Sequence, residues 1–168
     1  MMAQFGTNRA NPLAISTMKT NPAAMKATTF ATLRFAGDNL DPQDISNVLT
    51  IKPARAHRKG EEYYAGEHAG RLRGRTGIWY LTTDKLIESD NLTDHLVLIE
   101  RLLYPSRGDN RRIMKIRDVL GRSGADAHIS VFWRGARGQE PPAIPGQFAR
   151  LVSEIGADIE TDFHNDDD

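Results

Sequence analysis

Along the chain, apolar and polar positions alternate with two different periods. Residues 28–36, TTFATLRFA, carry Phe30, Leu33 and Phe35 and end at Gly37-Asp38-Asn39, which reads as a first strand. Asp41 then predicts a helix N-cap, Pro42 occupies the first helical position and Asp44 sits in the first turn. Leu40 and Ile45 form a hydrophobic staple across that cap, and Ile45, Val48 and Leu49 keep helical spacing, so 42–50 is a short amphipathic helix. Residues 51–76 are broken by Pro53, Gly60, Gly66, Gly70 and Gly74, with a short extended piece expected around Arg55–Lys59 or at Tyr63–Tyr64. A second strand covers 77–83, where Trp79 and Leu81 face one way and Ile78 and Tyr80 the other.

The second half repeats the alternation. Leu92, Leu96, Ile99, Leu102 and Leu103 stripe a helix over 91–104, which Pro105 to Asn110 interrupt. A helix over 110–120 ends at Gly121. A strand follows at 126–134, where Ala127, Ile129, Val131 and Trp133 alternate with His128, Ser130, Phe132 and Arg134. Phe148, Leu151, Val152 and Ile155 predict a helix at 145–155 stopped by Gly156, and 157–163 alternates as a last strand. This order predicts an α+β fold. The expected form is a ferredoxin-like two-layer sandwich from two split βαβ units, with one or two extra helices between them.

Composition refines this picture. The chain has 168 residues, 22 basic and 22 acidic, and no cysteine, which excludes disulfides, thiolate metal sites and cysteine nucleophiles. A zero net charge argues against a nucleic-acid-coating protein. The charge is segregated, however: residues 51–77 hold seven bases against three acids, and 154–168 hold seven acids and no base, a distribution that steers partners. Residues 1–26 lack acids and apolar periodicity and read as a disordered leader, 27–164 as a single domain and 165–168 as an acidic tail. No apolar run approaches the roughly 20 residues of a membrane span, so no membrane association is expected.

Gly37-Asp38-Asn39-Leu40-Asp41-Pro42, then Leu49 to Arg55 with its Ile-Lys-Pro turn, then Arg58-Lys59-Gly60-Glu61, and Trp79 on the next strand together form a pattern. It resembles the bacterial family called domain of unknown function 4279, over residues 28–163. The resemblance implies a small α+β domain of the bacterial cytoplasm and brings no activity with it. Asp38, Pro42, Pro53, Gly60 and Trp79 are the positions that carry it.

Chemistry is sparse. His57, His68, His95, His128 and His164 show no paired metal spacing, and His95, on the apolar stripe of its helix, reads as a satisfied core histidine. Asp158, Glu160 and Asp162 align on one strand face and read as a solvated surface. No phosphate loop, nucleophile elbow or catalytic set is present. Neither a cofactor nor a metal is expected. The strongest candidate is a basic loop of Arg55, His57, Arg58, Lys59, Arg71, Arg73 and Arg75, converging with Arg34 and Arg134 and flanked by Tyr63, Tyr64 and Trp79. It points to a non-enzymatic binding module, immunity-type or regulatory, with a protein partner. Two alternatives are a nucleic-acid-binding sheet using Phe30, Phe35, Trp79, Tyr80, Phe132 and Trp133, and an enzyme acting on an anionic small molecule.

Overall fold

The structure is a computed structural model that describes residues 28–64, 70–106 and 108–165. The leader at 1–26 and the last three residues of the acidic tail lie outside the described residues. Seven strands and four helices follow one another as β1 (Thr28–Gly37), α1 (Pro42–Leu49), β2 (Arg55–His57), β3 (Glu62–Tyr64), β4 (Arg71–Arg73), β5 (Gly77–Thr82), α2 (Leu92–Leu103), α3 (Arg111–Ser123), β6 (Asp126–Gly135), α4 (Gly146–Ile155) and β7 (Ala157–Asn165). Five strands form one sheet in the order β2-β5-β1-β6-β7, and β3 and β4 pair separately as a two-stranded arm.

The class is mixed α+β, and two extra helices stand between the halves. The strands that the crossovers join differ from those expected above. β2 runs parallel to β1 with β5 inserted between them, so the first unit is split. β6 likewise runs parallel to β5 with β1 between them, whereas β7, reached from β6 through α4, lies directly beside β6 and parallel to it. The three-residue β2 takes the edge next to β5 and ends the first crossover, a place that the pattern assigned to the strand at 77–83. Periodicity along a chain specifies faces, and strand order depends on which edge each crossover reaches.

The faces follow the alternation. Ala31, Leu33, Phe35, Trp79, Leu81, Ile129 and Val131 are buried beneath the helices, with Leu33 paired between Leu81 and Ile129. α1 packs on β5, α2 on β1 and α4 on β7, while α3 closes the layer against α1 and α4. Asp41 caps α1 by accepting a hydrogen bond from the Gln43 amide at 3.0 Å, and Leu40 and Ile45 are both buried. α3 runs through the expected stop at Gly121, because Val119, Leu120 and Ser123 continue its buried face. It ends at Gly124, whose φ of 60° supplies the left-handed cap.

His95 is a satisfied core histidine. Its Nε2–H donates to the Ser89 carbonyl at 3.0 Å, so Nδ1 accepts from the Thr83 hydroxyl at 2.7 Å. Thr83 Oγ1 in turn accepts the Ala31 amide at 2.9 Å, where β5 has bent away and can no longer supply a carbonyl.

Candidate functional site

Past β2 the chain makes a tight turn at Arg58–Glu61. The Arg58 amide donates to the Glu61 carboxylate at 2.6 Å, and Gly60 takes a φ of 83° that a side chain would resist. The two sides of the arm are closed at this base. Gly60 N–H donates to Gly74 O, and Gly74 N–H donates to Glu61 O, both at 2.8 Å. Beyond the base, Glu62 pairs Arg73, Tyr63 pairs Leu72 and Tyr64 pairs Arg71.

His57 and Tyr63 join the arm to the sheet. Their rings stack at 4.1 Å with planes 4° apart, and the Arg55 guanidinium carbon lies 5.9 Å from the centre of the Tyr63 ring. Burial, reinforced by Arg55, holds His57 below its ordinary value of 6.5. Its Nδ1 is buried without a hydrogen-bond partner. A lowered histidine favours the folded arm above that ordinary value and loses the contribution as pH falls through it. His57 thus supports the arm from beneath, and the binding surface expected of it falls to its neighbours.

Gly74 makes this stack possible. A Cβ there would lie 2.5 Å from His57 Cδ2 and 3.0 Å from the Arg58 carbonyl. The ring is already held in its stack on Tyr63, so it can yield to the added methyl group only by disturbing that contact. Gly74→Ala is expected to cost about 1–3 kcal/mol as an overpacked contact. Denaturant unfolding measures the loss, and the His57 ring protons should move downfield by NMR as Tyr63 lifts away. An unshifted His57 signal would show that the stack tolerates the methyl group.

Ion pairs tie the turn to the β1–α1 connection. Arg58 pairs with Asp41 and Lys59 with Asp38, and hydrogen bonds from these bases are the main reason both carboxyls sit below their usual range. On the arm, Arg71 reaches Glu62 at 3.2 Å and the Tyr64 hydroxyl at 3.1 Å, and Arg73 Nε donates to the Gly60 carbonyl at 2.9 Å. Arg75 is exposed. The basic residues therefore gather around one turn and one arm, several of them already engaged by acids.

Of the flanking arginines, Arg34 joins this group. Arg34, Arg55, Ile78 and Tyr80 line a depression of about 340 Å³. Arg134 does not join it, because it sits opposite Thr28 at the far end of β6. Trp79 offers no ring for stacking on a ligand. It is buried against Phe35, and its Nε1–H donates to Ser46 Oγ at 3.0 Å.

The sequence reading missed a cleft of about 790 Å³ between α1 and β2. Pro42, Ser46, Thr50, Lys52, Pro53 and Arg58 are among its walls. Thr50 ends α1 at φ 58°, a left-handed conformation unusual for a β-branched residue, and this bend aims the Ile51-Lys52-Pro53 turn along the cleft. The turn was visible in the sequence as a motif, but nothing there showed that it faced a hollow.

The family model described as a domain of unknown function (DUF4279) matches residues 26–166. The chain belongs to this family. No curated protein and no solved structure matches it. In this DUF4279 domain the motif residues Asp41, Pro42, Pro53, Arg55, Arg58 and Glu61 all line the cleft, while Trp79 lies beneath α1. Among the described residues no group of three or more His, Asp or Glu is placed to hold a metal ion, and no helix is long and apolar enough to cross a membrane.

Proposed function

We propose that this DUF4279 domain is a non-enzymatic interaction module of the bacterial cytoplasm, of a regulatory or immunity type, that binds an acidic protein surface through its β3–β4 arm. The exposure of the arm carries the reading. Tyr64 and Leu72 are 65% and 45% exposed, although large apolar side chains elsewhere are mostly buried. Arg71 and Arg73 flank them, and Arg75 follows at the arm's return. Aromatic and arginine side chains together, outside the core, are the composition enriched at protein interfaces.

Two observations weigh against a nucleic-acid-binding sheet. Phe35, Trp79 and Trp133 are buried on the helix side, and Phe30 and Phe132 stack on each other at 4.8 Å. Asp158, Glu160 and Asp162 line the same open side as these two rings.

The test is affinity capture from the native host with the full chain and with Arg71→Ser, Arg73→Ser and Arg75→Ser combined. The wild-type chain is expected to retain an acidic protein that elutes as salt rises, since exposed charges are screened over about 8 Å at physiological ionic strength. The triple variant is expected to lose it while stability stays within about 0.5 kcal/mol. Equal retention by both chains would move the binding surface away from the arm.

A further inference from the structure

Helices cover one side of the five-stranded sheet and leave the other open. Register places Arg55 on the open side, in one row with Tyr80, Arg34, His128 and Asp158. It places Ala56 on the helix side, in one row with Trp79, Phe35, Ala127 and Ala157. Trp79, Phe35 and Ala127 of that row are buried, whereas Ala56 is exposed. α1 packs on β5 and leaves Ala56 uncovered, and the space between α1 and β2 is the cleft. One wall is the continuous chain from Thr50 to Arg58, which includes all of β2. The other is α1, through Pro42, Gln43 and Ser46.

β2 is an edge strand. β5 pairs it on one side, and among the described residues no strand pairs it on the other. Every second residue of such a strand turns its N–H and C=O away from its partner, and those groups still require hydrogen bonds. They form the template on which an extended peptide adds as a further strand. Alanine is depleted in strands, yet Ala54 and Ala56 stand here, both exposed, and put no bulk between the main chain and the cleft. The walls are charged unequally. Arg58 is paired with Asp41, and Glu61 accepts the Arg58 amide, so both acids of the cleft are engaged. At the other end, past the left-handed Thr50, Lys52 is exposed, and among the described residues nothing pairs with it. Ser46 Oγ accepts from Trp79, which leaves its own proton to donate.

We infer that the cleft takes an extended acidic peptide segment of another protein, added to the free edge of β2 with a carboxylate on Lys52. The α1 wall from Pro42 to Thr50 is about 12 Å long at about 1.5 Å per residue. That length matches about four residues of strand at about 3.3 Å each. β2 itself is three residues long and follows Pro53, which has no N–H to offer, so the added strand is short. The chain's own residues 1–26, with three bases and no acid, would bring like charge to Lys52. Arg71, Arg73 and Arg75 are not among the walls, so a peptide in the cleft and an acidic surface on the arm can bind independently.

Selection from a displayed library of random peptides about eight residues long, with the full chain as bait, tests this. The enriched peptides are expected to share an Asp or Glu beside β-branched or aromatic residues. The best of them, synthesised with both ends blocked, should shift the amide signals of residues 54–58 and of α1 in NMR spectra of the isotope-labelled chain and leave those of β7 in place. Lys52→Glu is expected to invert the selection toward peptides with Lys or Arg, an outcome that also shows that the variant is folded. Ala56→Phe suits a strand and fills the cleft, and it should weaken binding at least about tenfold. Circular dichroism checks its fold, and Ala56→Val is the milder variant if it unfolds the chain. Arg71→Ser, Arg73→Ser and Arg75→Ser combined should bind the peptide as the parent does. The proposal falls if no acidic peptide is enriched, if the shifts lie on the arm or the open side of the sheet, or if the arm variant loses the peptide. It falls equally if Lys52→Glu still selects acidic peptides, or if a folded Ala56→Phe chain binds as tightly as the parent.

Discussion

Replacing Ile45 with Asp is expected to remove most of the stability of the domain. Ile45 is fully buried on α1, beneath the staple with Leu40 and inside the layer that α1 makes with β5 and α3. A carboxylate there has no cation within the core, and an uncompensated buried charge costs about 3–5 kcal/mol. Small domains hold about 5–15 kcal/mol in total, so the variant should melt far below the parent or populate unfolded chain at room temperature. Leu40→Ala, which empties the other half of the staple, should cost about 2–5 kcal/mol. Asn47→Asp is the control. Asn47 is exposed on the same helix and accepts from Gln43 Nε2, a bond that an aspartate can also accept. Its effect should stay within about 0.5 kcal/mol. Equal melting curves for Ile45→Asp and the parent would mean that α1 does not pack as described.

Trp79→Ala is expected to have the second largest effect on stability, about 3–5 kcal/mol. The ring is fully buried, packs on Phe35 at a centroid distance of 5.6 Å, and joins β5 to α1 through Ser46. Truncation leaves a hole between sheet and helix that the surrounding backbone can only partly close. It also leaves the Ser46 hydroxyl without its indole donor. Trp79→Phe separates the two terms. It keeps most of the packing and loses the hydrogen bond, so about 1–2 kcal/mol should be lost. Chemical denaturation of both variants gives the comparison. A Phe variant as unstable as the Ala variant would mean that the indole N–H, rather than the ring volume, holds α1 on the sheet.

The sequence carried the motif at Asp41–Pro42 and the Ile51-Lys52-Pro53 turn, and both lie where local rules place them, because caps and turns are decided by neighbours in the chain. It also carried the gathering of basic residues, since Arg58, Lys59 and the arm arginines lie close together along one loop. It did not carry the fate of His57. An imidazole in a basic loop reads as a ligand contact, and only the stacking of Tyr63 and the close approach of Gly74 turn it into a buried support. The cleft was illegible for the same reason. Ser46 belongs to a helix, Thr50 to its cap and Arg55 to a strand, and the hollow between them exists only once helix and strand are docked together.

What this sequence determined by itself was the set of faces. Leu33, Trp79, Leu81, Ile129 and Val131 alternate with polar neighbours, and a period of two leaves one choice of buried side. The helix stripes and the Gly156 stop are local in the same sense, whereas the stop expected at Gly121 falls at Gly124, because the buried face of α3 runs on through Ser123. Tertiary structure alone decided the strand order. The three residues of β2 are too few to announce themselves by pattern, yet their pairing with β5 splits the first crossover, while α4 returns β7 directly beside β6. Edge selection depends on how several helices share one sheet, and no stretch of chain short enough to show a period contains that information. The open face has the same origin. Arg55, Arg34 and Asp158 are separated by up to 124 positions in sequence and become one charged row only when five strands lie side by side.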